Sequence, residues 1–249
     1  MAEVKKDVKV WVVTEHTQEQ VNAAVAVEHT FNLYVNDEKI VSLYCSPVNL
    51  DELALGFLES EGFLTSLEDV LRLEVKEGDA WVELKRSPEV KLYTVTSSGG
   101  RTFRKGMGDL KKLDLKIRLS PSQVIEAVEL FENASETWKL THGVHSAALF
   151  DSDKFLVFRE DLGRHNAVDK VFGWCLLQGV VPEGKVLFLS GRISSEMVFK
   201  AAMRKVPVVV SLASPTDKAL HLAEKVGLTV IGSARNRKMK VFTCPERIL

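Results

Sequence analysis

The chain has 249 residues, enough for one large domain or two modest domains with hydrophobic cores of their own. Its 33 basic and 34 acidic residues give a formal net charge of −1, so no overall field attracts the chain to nucleic acid or to an anionic membrane. No apolar run approaches the roughly 18 residues of a membrane-spanning helix, and the charged N-terminus lacks the apolar core of a signal peptide. We therefore predict a cytoplasmic protein in which any anion site is local.

The first half of the chain is predicted to be rich in β-strands. Alternating or apolar runs favour strands over residues 8–13, 21–27, 31–35, 39–44, 70–75, 80–84 and 90–96. Asn36-Asp37 predicts a tight hairpin turn, and Asn49 and Gly62 bracket a predicted helix. A stretch with four glycines and three cations, 97–108, predicts an exposed loop.

The second half alternates short apolar strands with helices. Ser120-Pro121 and Gln123 form a predicted helix start, and Gly179 is a predicted helix end. Strands are predicted over 144–150, 155–159, 186–189, 206–212, 228–231 and 238–242, and helices over 120–131, 164–177, 194–204 and 215–226. The pattern predicts an α/β fold in which residues 1–118 form a β-rich N-terminal domain ending in the glycine-rich loop, and residues 119–249 form a layered α/β domain.

Three turns in the second half each follow a predicted strand, and in an open α/β sheet such turns gather at one edge, where ligands usually bind. The turns are Ser190-Gly191-Arg192, Ser214-Pro215-Thr216 with Ser214 as the predicted helix cap, and residues 232–238. Helix N-termini favour anions, and Arg192, Arg235, Arg237 and Lys238 add donors for phosphate oxygens. Each turn alone is explained more simply as a good cap beside solvated cations. Three turns at one edge favour an anion site.

Residues 159–170 gather many polar side-chain types in twelve positions. His165 is a candidate for acid–base chemistry or for a hydrogen bond to a ligand. One alternative is an ordinary helix entry capped by Asp161, with Asp169 and Lys170 exposed. Another is a nucleotide-binding enzyme in which His165 exchanges a proton with Asp161 or Asp169.

The histidines and cysteines do not predict a metal site. His142 and His145 lie three residues apart with no further ligand nearby, so zinc is not expected, and His145 is predicted to line the sheet or a pocket. Cys45 and Cys175 lie in apolar surroundings and are predicted to be buried. Cys244 is predicted to be nearer the surface, among cations that favour a thiolate.

Several rare strings, in this order, resemble those of the FdhD family, the formate dehydrogenase accessory sulfurtransferases. The strings stand at 49–64 (NLDELALGFLESEGFL), 145–151 (HSAALFD), 159–170 (REDLGRHNAVDK), 190–200 (SGRISSEMVFK), 214–216 and 232–243. The resemblance extends from about residue 28 to the end, and a shared order of several strings is far more specific than one short motif.

The resemblance implies a cytidine-deaminase-like C-terminal domain and a role in passing sulfur from a cysteine desulfurase to the molybdenum cofactor, bis-molybdopterin guanine dinucleotide, before that cofactor enters formate dehydrogenase. It also implies a homodimer and makes GDP an expected mimic of the cofactor. Together with the predicted anion site, it gives these candidate cofactor-binding residues: Ser233, Ala234, Arg235, Asn236, Arg237, Lys238, Gly191, Arg192, His145, Arg164, His165 and Asn166.

The sequence departs from the family in the glycine-rich loop, where members that transfer sulfur carry a cysteine pair. Gly99 and Gly100 stand there, and glycine cannot form a persulfide. The zinc signature of deaminases is also missing, which disfavours deaminase chemistry. Two hypotheses follow. The chain either binds the cofactor and assists its sulfuration or insertion, with no assigned catalytic residue and Cys244 as a candidate sulfur carrier, or it is a cofactor-binding chaperone without sulfurtransferase activity.

Overall fold

The computed structural model describes residues 3–86, 94–95, 101–102, 110–113 and 117–248. In these residues it has helices α1 (Leu50–Glu61), α2 (Pro121–Ala134), α3 (Glu136–Thr141), α4 (Arg164–Gln178), α5 (Ser195–Met203) and α6 (Asp217–Val226). The strands are β1 (Lys5–Val13), β2 (Gln18–Ala26), β3 (His29–Val35), β4 (Glu38–Cys45), β5 (Val70–Lys76), β6 (Asp79–Leu84), β7 (Thr94–Val95), β8 (Arg101–Thr102), β9 (His145–Asp151), β10 (Lys154–Asp161), β11 (Val186–Leu189), β12 (Val208–Ser211), β13 (Thr229–Arg235) and β14 (Lys238–Val241). The predicted α/β fold class is confirmed. Most of the predicted strand 90–96 and of the predicted loop 97–108 lies outside the described residues.

The strands form two large sheets and two small ribbons. The N-terminal sheet has four strands in the order β4-β3-β6-β5, and the C-terminal sheet has six in the order β10-β9-β11-β12-β13-β14. Strands β11, β12 and β13 are parallel. Strand β9 is antiparallel to both β10 and β11, so β10 runs in the same direction as the parallel core. The carboxyl ends of β10, β11, β12 and β13 therefore lie at the same edge of the six-stranded sheet.

Both faces of the six-stranded sheet are covered. Helices α4, α5 and α6 pack on one face around Phe172, Val198 and Leu187, and α2 packs on the other, where Phe131 contacts Phe188 with ring centroids 5.7 Å apart. This explains why the central strands are continuous apolar runs without alternation. Helix α1 covers one face of the four-stranded sheet and forms a separate cluster.

Helices α1 and α4 cross in close contact and hold the two sheets together. A Cβ atom placed on Gly56 would lie 1.8 Å from the carbonyl oxygen of Asp169, and one placed on Gly173 would lie 1.8 Å from that of Glu52. Because real Cβ atoms never approach so closely, only glycine permits this crossing. Around it, Arg204 forms an ion pair with Glu59. The division of the chain at residue 118 stays a prediction.

Several local predictions are confirmed. Asn36 and Asp37 adopt left-handed conformations, φ 48° and 66°, in the hairpin between β3 and β4, as a two-residue turn of this type requires. Gly62 ends α1 with φ 81°, and Gly179 ends α4. Ser120 forms the predicted capping box at the start of α2.

Two predictions about the turns are wrong. Residues 232–238 are not all a turn, because β13 continues to Arg235 through an irregularity in register and then turns directly into β14, where a strand was predicted. Ser214 is not the cap of α6. That cap is Thr216, whose hydroxyl accepts a hydrogen bond from the amide of Ala219, while the Ser214 hydroxyl lies 3.0 Å from that of Ser233.

Candidate anion-binding site

The predicted sheet edge brings two of the sequence motifs together. His145 begins β9 and is paired with Asp161, the last residue of β10. The amide of Ser190, directly after β11, donates to the carbonyl of Ser146. The Ser190-Gly191-Arg192 turn therefore lies beside the end of β10 and the start of α4.

Gly191 permits a close approach at this point. A Cβ there would stand 3.2 Å from Nδ1 of His145 and 3.3 Å from the Cβ of Arg164. The carbonyl oxygen of Gly191 accepts a 2.6 Å hydrogen bond from the Ser211 hydroxyl, which fixes the turn against β12. The structure therefore brings together four predicted site residues, namely His145, Arg164, Gly191 and Arg192.

Two arginines concentrate positive charge at this edge. Burial, and then the nearby charge of Arg192, lower the pKa of Arg164, while Glu196 acts in the opposite direction. The Nε atom of Arg164 is buried and makes no hydrogen bond within the described part of the chain. Arg164 is also the first residue of α4, where the helix dipole disfavours a cation. An anion between the arginines would offset the repulsion between their charges and the unfavourable helix dipole, and it would accept a hydrogen bond from the buried Nε of Arg164.

His165 pairs with Glu196, a residue that sequence reasoning did not single out. Their Nε2 and Oε2 atoms are 2.6 Å apart. Burial lowers the pKa of His165, although the negative carboxylate of Glu196 opposes this. Burial tends to raise the pKa of Glu196, but His165, Lys200 and Arg164 hold it below its ordinary value. The pair therefore favours a neutral imidazole beside a carboxylate. The sequence did contain an indication of its importance, because Glu196 lies in the string 190–200 that resembles the FdhD family.

His145 lines the same edge and is half-buried. Its Nδ1 atom lies 3.3 Å from the hydroxyl of Ser190, which also accepts a 2.8 Å hydrogen bond from the amide of Ser146. Burial, and then Arg164, lower the pKa of His145. A neutral His145 can donate one hydrogen bond to a ligand without adding a charge.

Other members of the 159–170 motif bind the N-terminal part of the chain rather than open space. Asp169 and Lys170 are buried, so the alternative that left both exposed is wrong. Lys170 pairs with Asp161 at 2.6 Å and donates to the carbonyl of Ser46. The Asn166 side chain donates to the carbonyl of Tyr44 and to Asp161.

The ends of the motif are also held by side chains outside it. Arg159 forms a two-pronged pair with Glu52 of α1, and Glu160 accepts hydrogen bonds from Ser135 and Thr137 at the start of α3. Asp169 accepts hydrogen bonds from Lys200 and from Ser60 of α1. Proton exchange between His165 and Asp161 or Asp169 is therefore disfavoured, since both carboxylates have cationic partners of their own.

The residues predicted from the 233–238 stretch occupy the β13–β14 hairpin. Ser233 reaches the Ser214 turn, whereas Ala234 is buried in the core under α2. Arg235 lies 3.5 Å from Glu132, and Arg237 lies 2.9 Å from Glu129; both acids belong to α2. Asn236 and Lys238 are exposed. The two arginines are exposed as well, and such surface pairs are weak enough to yield to a stronger anion.

The three cysteines differ sharply in their surroundings. Cys45 and Cys175 are buried, as predicted, and burial raises the pKa of each thiol to about 12. Cys244 is partly exposed. Its carbonyl accepts a hydrogen bond from the hydroxyl of Thr229, the first residue of β13. Cys244 therefore lies at the sheet edge opposite the anion site.

The described part of the chain contains no group of three or more His, Cys, Asp or Glu side chains arranged to hold a metal ion. Among those same residues, no helix has both the length and the apolar character needed to cross a membrane.

Comparison with known proteins gives one consistent family. The curated relatives include "Sulfur carrier protein FdhD" of Bacillus subtilis (strain 168), 36% identical over 251 residues that cover 96% of this chain and 95% of the relative. The protein of the same name from Staphylococcus aureus (strain MRSA252) is 36% identical over 233 residues, covering 89% of this chain and 88% of the relative. A solved structure, of a "putative formate dehydrogenase accessory protein" from Desulfotalea psychrophila, superposes with a TM-score of 0.85 at 29% identity and covers 99% of this chain and 100% of the other. The sequence model of the FdhD/NarQ family matches residues 26–249, and the chain belongs to that family.

Proposed function

We propose that this chain is an accessory protein for the maturation of formate dehydrogenase, and that it binds the molybdenum cofactor, bis-molybdopterin guanine dinucleotide, and assists its sulfuration or insertion. The names of its relatives support the formate dehydrogenase and sulfur-carrier roles. The observation that carries cofactor binding is the buried, unbonded Nε of Arg164 beside a second arginine at a helix N-terminus. This arrangement is suited to a ligand with a pyrophosphate group.

The residues present fit such a group. The start of α5 follows the Ser190-Gly191-Arg192 turn, and the start of α4 carries Arg164, so two helix N-termini face the same region. Gly191 lets the side chains of His145 and Arg164 pack against the turn, which keeps both at this edge of the sheet. Ser214 and Ser233 add hydroxyl groups farther along the edge. When bound, the cofactor supplies the molybdenum and dithiolene chemistry, whereas the chain binds, orients and shields the phosphates.

An alternative proposal is a cofactor-binding chaperone without sulfurtransferase activity of its own. This alternative is supported by the positions and the burial of the cysteines. Gly99 and Gly100 replace the family's loop pair, two of the three thiols are buried with a raised pKa, and the third lies at the opposite sheet edge. A thiol that is almost entirely protonated, or that lies far from the cofactor, is poorly placed to carry sulfur to it.

Calorimetry with GDP tests cofactor binding directly. We expect micromolar or tighter binding, and we expect Arg164→Ala or Arg192→Ala to weaken it roughly tenfold or more, because each removes charge-assisted hydrogen bonds. Arg72→Ala is the matched control, since Arg72 is an exposed arginine with its own acidic neighbour on the four-stranded sheet. If neither GDP nor inorganic pyrophosphate binds, the cofactor proposal is overturned.

A maturation assay tests the accessory role and separates the two alternatives. In cells that lack their own accessory protein, the chain is expected to restore formate dehydrogenase activity. Transfer of labelled sulfur from a cysteine desulfurase to the chain would support a sulfur carrier. Maturation without any labelled cysteine would support the chaperone.

A further inference from the structure

The candidate anion site contains a carboxylate of its own. Glu196 lies in the first turn of α5, and its Oε2 atom is 2.6 Å from Nε2 of His165, which directly follows Arg164 in α4. The side chain of Glu196 is 30% exposed, so a ligand at this edge can approach it. Because a helix N-terminus favours negative charge, Glu196 already takes up part of the field that attracts an anion. A ligand beside Arg164 must therefore share the site with this carboxylate.

The negative charge of Glu196 is not cancelled by its neighbours. Burial tends to raise its pKa, but His165, Lys200 and Arg164 hold the pKa below its ordinary value, so the carboxylate is ionised near neutral pH. Lys200 forms an ion pair of its own with Asp169, at 2.6 Å. Burial lowers the pKa of His165, which favours the neutral imidazole. A ligand in the site is therefore exposed to the charge of Glu196.

The cations of the site only slightly outnumber this carboxylate. Arg164 and Arg192 are both positive, and Glu196 raises the pKa of Arg164, as expected for opposite charges that lie close together. Burial lowers the pKa of His145 as it does that of His165, so neither imidazole adds a full charge. The described residues therefore give the site a small net positive charge. This balance favours an anion of low charge over one of high charge.

Two polar atoms in the same region are buried and form no hydrogen bond within the described part of the chain. They are the Nε atom of Arg164 and the hydroxyl of Ser194. Ser194 is the N-cap of α5, yet its side chain makes no capping bond. Both groups can donate a hydrogen bond to a phosphate oxygen. A phosphate with a single charge can accept such a bond, so these donors do not require a doubly ionised phosphate.

We propose that Glu196 is a specificity-determining residue that selects a pyrophosphate substituted at both ends over one that ends in a free phosphate. In the first ligand each phosphate group carries a single charge, as a phosphodiester does, whereas a terminal phosphate carries about 1.5–2 charges at pH 7. The carboxylate of Glu196 repels the additional charge, and such repulsion discriminates against a wrong ligand. The inference rests on the proposed function, because it narrows the class of ligand for the same site.

Calorimetry with three guanosine ligands tests this selection. The ligands are GDP, GTP and the β-methyl ester of GDP, in which one methyl group removes the second charge of the terminal phosphate. We expect the wild-type chain to bind the methyl ester at least as tightly as GDP, and GTP least tightly. Glu196→Gln preserves the size of the side chain and removes its charge. We expect it to bind GDP and GTP roughly fivefold more tightly or better, and the methyl ester by about twofold at most.

Two further variants separate the charge of Glu196 from other effects. Glu196→Asp keeps a carboxylate and is expected to keep most of the preference for the methyl ester. Glu183→Gln is the matched control, because Glu183 is exposed and precedes β11, at the opposite edge of the sheet; it is expected to leave all three affinities unchanged. Unchanged circular dichroism would show that each variant is folded.

The outcomes distinguish this inference from the proposed function. If GDP binds but Glu196→Gln leaves the ratios of the three affinities unchanged, the selection by Glu196 is overturned and cofactor binding stands. A wild-type chain that binds GTP most tightly overturns the selection without reference to any variant. If none of the three ligands binds to the wild-type chain or to Glu196→Gln, both the selection and cofactor binding are overturned.

Discussion

The ammonium nitrogen of Lys170 lies 2.6 Å from Oδ2 of Asp161, and neither side chain is exposed. Asp161 also accepts hydrogen bonds from the amides of Ser46 and Gly163, and Lys170 donates to the carbonyl of Ser46. Ser46 directly follows β4, so this ion pair binds the four-stranded sheet to the end of β10. The family-like motif at 159–170 therefore has two functions: it presents Arg164 and His165 at the sheet edge and anchors the N-terminal sheet behind them.

Removing one partner of this ion pair should be costly. Lys170→Met leaves the Asp161 carboxylate buried without its counter-charge, and such changes typically destabilise a protein by about 3–5 kcal/mol. Urea unfolding measures the loss. Lys205→Met is the control, because Lys205 forms an exposed pair with Glu183, which is expected to contribute no more than about 1 kcal/mol. Equal losses in the two variants would contradict the structural role assigned to Lys170.

The crossing of α1 and α4 should be equally intolerant of added volume. Gly173→Ala places a methyl group 1.8 Å from the carbonyl oxygen of Glu52, so the helices must separate and the ion pairs around them must shift. We expect a loss of several kcal/mol, of the order seen for overpacked cores, measured as a fall in the melting temperature. Gly184→Ala is the comparison: no atom lies within 4 Å of its Cβ, although its φ of 76° adds strain of about 1 kcal/mol. A milder effect at Gly173 than at Gly184 would contradict the close crossing.

Sequence reasoning succeeded where local chemistry decides the structure. Buried strands are continuous apolar runs, and caps such as Ser120 have side chains that bond their own helix; both signals are present in a few adjacent residues. It failed at residues 232–238, where a glycine and a serine suggested the end of a strand, although an irregular register lets β13 continue. The burial of Asp169 could not be predicted, because its partner Lys200 is 31 positions away. The residues next to Asp169 in the sequence do not indicate which cation pairs with it.

The arginines at the sheet edge should contribute unequally to GDP binding. Arg235→Ala is expected to weaken binding, but by less than Arg164→Ala, because Arg235 is exposed and already faces Glu132, whereas the Nε of Arg164 is buried and unbonded. Calorimetric titration of both variants under identical salt conditions gives the comparison. A larger effect at Arg235 would move the main phosphate contact to the β13–β14 hairpin.

Folding stability should fall as the solution becomes more acidic, in part through His145. Burial, and then Arg164, lower its folded-state pKa from the ordinary value of 6.5. Below about pH 6.5 the unfolded chain therefore binds more protons than the folded chain. The contribution of His145 to stability is fully present above that pH and is lost as the pH falls through the folded-state pKa. His145→Asn should reduce the loss of stability between about pH 7.5 and about pH 5.5, measured by urea unfolding.

A bound anion should shift this titration. A phosphate group beside His145 favours the imidazolium, so the pKa of His145 should rise when GDP is added, and GDP should bind more tightly at the lower pH. NMR titration of the imidazole with and without GDP measures the shift directly. His221, which lies on α6, serves as an internal control. Equal shifts at both histidines would indicate a general effect of the ligand rather than binding at the proposed edge.

Thiol labelling should single out Cys244 in the folded chain. Cys45 and Cys175 are buried and burial raises the pKa of each to about 12, so both are almost entirely protonated near neutral pH and react slowly. We expect iodoacetamide to modify one cysteine in the native protein and three after denaturation, as counted by mass spectrometry. In Cys244→Ser the native protein should remain unmodified. If that variant still restores formate dehydrogenase maturation, Cys244 is not a required sulfur carrier and the chaperone alternative is favoured; if maturation is lost while GDP still binds, sulfur passes through Cys244.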